Sequence, residues 1–171
     1  ELYLHPQKQK ELFSNICILT KLGNQIYVST HSNNFINLHM YKSICIVRKE
    51  EKIGTKAFQF KGYLFSGDEI KNFNMNYWIN PDRSEIFFAK KVILVEGQTD
   101  KIVLGYLSKR LGIYKYDYSI LECGSKSLIP QFIKLLNVFK IPYVAVYDRD
   151  NHLWRTLEEI ENSNQKNKII Q

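Results

Sequence analysis

Three short apolar, β-prone stretches constrain this chain most strongly: KVILVE at 91–96, YSILEC at 118–123 and IPYVAVYD at 141–148. Between them lie TDKIVLGYLSKRLG and SLIPQFIKLLNVF, whose apolar residues recur at helical spacing. Strand, helix, strand, helix, strand in that order predicts parallel strands joined by right-handed crossovers, and so an α/β domain. The first and third strands run into acids: Glu96 ends the first, and the third leads into Asp148 and Asp150. Residues i and i+2 of an extended backbone point the same way, so the aspartate pair presents two carboxylates to one place.

In parallel α/β sheets, ligands gather beyond the carboxyl ends of the strands. If the first and third strands are neighbours, Glu96, Asp148 and Asp150 converge there, with Asp100 in the first turn of the following helix. Such a charge density is unfavourable unless a divalent ion neutralises it or a proton is shared. Carboxylate oxygens with no His or Cys beside them suit Mg²⁺ or Mn²⁺ rather than zinc. Each residue also has a plainer reading. Glu96-Gly97 reads equally as a strand end and a turn, Asp100 as favourable charge at a helix N-terminus, and the aspartate pair as a solvated turn. After the second strand, Gly124, Ser125 and Lys126 stand where a phosphate could be approached, or form a plain turn with a helix cap at Ser127.

Upstream, QKQKELFSNICILTKLG places Leu12, Ile16 and Leu19 on one helical face and stops at Gly23, a C-terminal cap. The β-formers of NQIYVST predict a strand over 24–30 that delivers His31, and SICIVRK predicts another over 43–49. A polar turn, EEKIGT, and a short extended piece at 57–60 follow, and together these segments read as the end of an α/β unit. Residues 66–89 read as a helical connector. Asp68 caps a helix to about residue 78, Asn80-Pro81 breaks it, and a second helical turn spans 83–88. The expected division is therefore 1–65, 66–89 and 90–171. A last polar helix near 153–163 carries Glu158, Glu159 and Glu161, either a further acidic ligand or a solvated face.

The balance of 24 Lys plus Arg against 17 Asp plus Glu, net +7, favours a polyanionic partner such as nucleic acid. Three widely spaced cysteines without CxxC spacing suggest neither a disulfide framework nor a zinc site, so a reducing cytoplasm is expected. No apolar run approaches the roughly 18 residues of a membrane span and no signal-peptide pattern opens the chain, so a membrane is not an expected partner. The opening ELYLHP, without an initiator Met, reads as interior to a longer protein, with the last domain also cut short.

A strand ending in Glu-Gly, followed in the same α/β unit by a strand ending in Asp-x-Asp, resembles the Toprim domain shared by topoisomerases, primases and several nucleases. The wording VILVEGQTDKIVL, LECGSKSLIPQFIKLLN and IPYVAVYDRD resembles the OLD (overcoming lysogenisation defect) family of ATP-dependent endonucleases over about residues 89–155. ELYLHPQKQKELF followed by NQIYVSTHSNNFI resembles the last part of an ABC-type ATPase, whose closing strand ends in the switch histidine.

The resemblance implies a Toprim-like parallel sheet flanked by helices, preceded by the C-terminal α/β part of an ABC-type ATPase domain. It implies Mg²⁺- or Mn²⁺-dependent cleavage of DNA, with Glu96, Asp148 and Asp150 catalytic, those three and Asp100 holding metal, and Glu96 moving protons. His31 would sense the γ-phosphate of ATP. A homodimer or higher homo-oligomer is implied, together with an effector protein of a phage-defence system. No GxxxxGK[ST] phosphate loop occurs in these residues, so they do not hydrolyse ATP by themselves. Two other readings stay open: a topoisomerase or primase sharing the acidic site, and a Toprim module that binds nucleic acid or scaffolds a complex without cutting.

Overall fold

The computed structural model describes residues 4–50, 54–64 and 83–148. The first helix, α1 (Pro6–Lys21), has proline in its first turn, where no amide hydrogen is needed. It ends at Gly23, whose φ of 90° lets its N–H reach the Thr20 carbonyl while the Asn24 N–H reaches that of Leu19. Phe13 on α1 meets Phe35 edge-to-face with centroids 5.8 Å apart, and Gln9 Oε1 accepts from Asn34 Nδ2 at 2.9 Å. A short 3₁₀ turn, Asn33–Phe35, is thereby held against the helix.

The strand expected over 24–30 does not form. These residues carry no sheet pairing, and Tyr27 is 86% exposed. Propensity for strand reflects packing against neighbours as much as backbone preference, and among the described residues none runs alongside this segment. The second predicted strand is present as β1 (Cys45–Glu50), and the extended piece is longer than expected, β2 (Gly54–Gln59). The two pair antiparallel from Cys45↔Gln59 to Glu50↔Gly54, so a hairpin stands where the sequence suggested the close of an α/β unit. The helix expected over 68–78 and the polar helix near 153–163 lie outside the described residues. The helical turn expected at 83–88 is a 3₁₀ helix, Arg83–Phe87.

From Lys91 onward the predicted alternation is formed: β3 (Lys91–Val95), α2 (Gln98–Arg110), β4 (Tyr118–Glu122), α3 (Ile129–Val138) and β5 (Tyr143–Ala145). The three strands make a parallel sheet in the order β4-β3-β5, in register from Lys91↔Tyr118 and from Val92↔Tyr143. As the middle strand, β3 buries Val92, Leu94 and Val95 completely, while Lys91 and Ile93 are half-buried, so VILV is apolar without alternation. Most of the cover comes from α3, which buries Ile129, Phe132, Ile133, Leu135 and Leu136. Phe87 and Phe139 close the core edge-to-face at 5.4 Å. The hairpin joins the same core through Ile46, and Arg48 Nη1 donates to the Lys140 carbonyl at 2.9 Å. Burial lowers the Arg48 pKa, with Glu50 opposing the shift. Among the described residues no helix is long and apolar enough to cross a membrane.

Candidate functional site at the carboxyl ends of the parallel strands

The sheet order makes β3 and β5 neighbours, the condition on which convergence of the acids depended. Beyond the paired residues, the Val146 N–H donates to the Leu94 carbonyl at 2.8 Å, so the chain after β5 stays beside the end of β3. Glu96 and Asp148 therefore meet: Glu96 Oε1 accepts from the Asp148 backbone N–H at 2.9 Å. The Glu96 side chain is 23% exposed and Asp148 is at the surface, so both remain open to solvent and to a ligand.

Lys126 belongs to the run GSKS, which the sequence left as either an approach to a phosphate or a plain turn, and its side chain is only 3% exposed. Gly124, with φ at 86°, turns the chain after β4, and the following 3₁₀ helix, Lys126–Leu128, carries the lysine inward. Its ammonium lies 4.0 Å from Glu96 Oε1, donates to the Asp148 carbonyl and stands 5.4 Å from the centre of the Tyr147 ring. Of the two readings, the helix cap at Ser127 does not form. Ser127 instead shares a hydrogen bond with Ser125 at 2.9 Å, and α3 begins two residues later. The one available signal for Lys126 was its place in the loop after a strand of the same sheet as Glu96 and Asp148.

Asp100 occupies its alternative role in this geometry. Its Oδ2 accepts from the Gly97 N–H at 3.1 Å, satisfying an amide at the start of α2 and setting negative charge at that helix end. Glu122, the acid that ends β4, pairs with Arg83 from the turn before β3. Beside it, burial pushes the Cys123 thiol up to about 12, with Arg83 opposing the shift. A neutral, buried thiol is a poor nucleophile and a poor metal ligand.

Among the described residues, no three His, Cys, Asp or Glu side chains come close enough together to hold a metal ion. Glu96 and Asp148 are brought together, Asp100 faces Gly97, and Asp150 lies outside the described residues. His31 stands elsewhere. Its ring is 6.1 Å from that of Phe88, which precedes β3, whereas Glu96 follows it. There it lines a cleft of about 930 Å³ with Phe13, Val28, Phe35 and Phe88.

Residues 87–150 match the family described as overcoming lysogenization defect protein-like, TOPRIM domain. This part of the chain is an OLD-like Toprim domain. Over 158 residues the chain is 28% identical to the OLD nuclease of Thermus scotoductus, an alignment covering 88% of this chain and 29% of that protein. It is 24% identical over 155 residues to the Old nuclease of Escherichia phage P2, covering 88% of this chain and 26% of the relative. The chain thus spans less than a third of the length of these curated relatives.

Within the Toprim domain, the groups at the carboxyl ends of β3 and β5 are carboxylates, backbone amides and one ammonium. The oxygen donors Glu96 and Asp148 fit a hard divalent cation and do not fit zinc. Glu96 and Asp148 thus stand side by side, with the Lys126 ammonium offsetting part of their charge.

Proposed function

We propose that the full-length protein is a divalent-metal-dependent DNA endonuclease whose active centre is the carboxyl end of the Toprim sheet. The observation that carries this is the hydrogen bond from the Asp148 N–H to Glu96 Oε1, which joins acids 52 residues apart on neighbouring parallel strands. The relatives named as nucleases support the class of reaction.

Glu96, Asp148 and Asp150 would hold Mg²⁺ or Mn²⁺, with Asp100 as a further candidate ligand; the bound cation would activate water and neutralise charge at the scissile phosphodiester. Glu96 is the residue positioned to carry a proton as general acid or base. Its Oε1 is fixed by the Asp148 amide and faces the Lys126 ammonium, so one oxygen of the carboxylate is oriented before substrate arrives. DNA would approach from the side of solvent-facing Asp148. The chain's excess of basic residues would hold the phosphate backbone, making binding salt-dependent and largely indifferent to sequence.

Residues 1–65, as the end of an ABC-type ATPase domain, would couple this centre to ATP, with His31 at the nucleotide. Assembly as a homo-oligomer, and with a defence effector, belongs to the same proposal. The test is incubation of the full-length protein with supercoiled plasmid in Mn²⁺ or Mg²⁺ and in EDTA. Nicking that requires the metal supports the endonuclease. DNA binding without nicking under every metal condition supports the non-cutting module instead.

A further inference from the structure

We infer that Lys126 is a positioning residue for the acidic centre: it clamps the backbone of Asp148 from inside the domain and so holds that residue beside Glu96 at the cation site. This rests on the endonuclease reading and adds to it a group that does not touch metal or substrate.

Lysine is almost never buried unless paired. At 3% exposure, the Lys126 ammonium needs partners that repay its lost hydration. Those partners come from the ends of the other two strands of the sheet. Glu96 follows β3, while Tyr147 and the Asp148 carbonyl follow β5, and Lys126 itself follows β4. One buried charge thus ties three strand ends together beneath the acids.

The geometry at Asp148 is two-sided. Its N–H donates to Glu96 Oε1 and its carbonyl accepts from Lys126, and these two clamping groups lie 4.0 Å apart. With both backbone polar atoms of Asp148 held, rotation of the chain at this residue is restrained. The positive charge also offsets part of the negative charge that Glu96 and Asp148 bring to these strand ends. Supporting groups of this kind typically govern metal affinity by about 10–100-fold.

Lys126→Met keeps the aliphatic stem and removes the charge. In Mn²⁺ titrations of the full-length protein, followed by calorimetry or by the electron paramagnetic resonance of free Mn²⁺, Lys126→Met should weaken binding by about tenfold or more. Lys126→Arg should recover part of the loss. Wild-type Mn²⁺ affinity in a folded Lys126→Met protein, alongside lost affinity in Asp148→Ala, would overturn this inference and leave the endonuclease reading standing. Equal Mn²⁺ binding by wild type and Asp148→Ala would overturn both. A second measurement needs no variant: the Asp148 amide of the wild-type protein should be protected from hydrogen exchange, and exchange at the unprotected rate would contradict the clamp.

Discussion

Glu96 and Asp148 are joined through a side chain and a backbone: the carboxylate of the first accepts the amide hydrogen of the second at 2.9 Å across neighbouring strands. Glu96→Gln preserves the shape and an acceptor oxygen but removes the charge. Its melting temperature should stay within a few degrees of wild type, while metal-dependent nicking by the full-length protein falls at least about a hundredfold, as expected for a proton-carrying group. Nicking close to the wild-type rate would remove Glu96 from the chemistry.

Asp100 separates two roles in one experiment. Asp100→Asn leaves an oxygen to accept from the Gly97 N–H, so stability should fall by less than about 1 kcal/mol, the usual worth of a helix-start hydrogen bond. If Asp100 also ligates the cation, Mn²⁺ affinity drops in this variant. Unchanged affinity would confine Asp100 to the start of α2.

The buried Cys123 thiol makes stability depend on alkaline pH. Burial raises its pKa from 9.0 to about 12, so the unfolded chain releases the thiol proton above about pH 9 while the folded chain keeps it until about pH 12. Stability is therefore fully present below pH 9 and lost as pH rises through that window. Between pH 8.5 and 11 the melting temperature of wild type should fall more steeply than that of Cys123→Ala. A thiol reagent should label the exposed Cys45 and leave Cys123 unmodified until the protein unfolds.

Phe139 has no exposed surface and meets Phe87 at the centre of the core that backs the sheet. Phe139→Ala should cost about 3–5 kcal/mol in denaturant unfolding, because the cavity it leaves is walled by side chains already packed on other elements. A loss below about 1 kcal/mol would mean that the core can collapse into the space.

The Toprim part was legible because its signals are local and repeat. VILV is apolar throughout because it belongs to the middle strand, α3 carries its buried residues at helical spacing, and the acids sit where each strand runs out. Residues 24–30 misled for a physical reason: β-branched and aromatic residues announce compatibility with a sheet, while a strand exists only where a neighbour supplies hydrogen bonds. The hairpin of β1 and β2 was half visible, since the turn was readable but the length of pairing depends on Ile46 joining a core assembled much later in the chain. Lys126 was hidden because nothing in GSKS distinguishes a lysine facing solvent from one turned inward by Gly124. Its burial follows from three strand ends meeting, a tertiary relationship with no local trace.

His31 lies beside Phe88, at the other end of β3 from the acids. A role at the nucleotide should therefore separate from the nuclease. In the full-length protein, His31→Ala is expected to lower ATP hydrolysis at least about tenfold, the lower end for a group acting on a reacting phosphate. Hydrolysis at the wild-type rate would exclude it from that site.

The acidic centre is tested most directly by nicking of supercoiled plasmid by the full-length protein in Mn²⁺, wild type against Asp148→Ala. The account expects nicking by the wild type and none by the variant at matched concentration and stability. Nicking that persists in Asp148→Ala would contradict it.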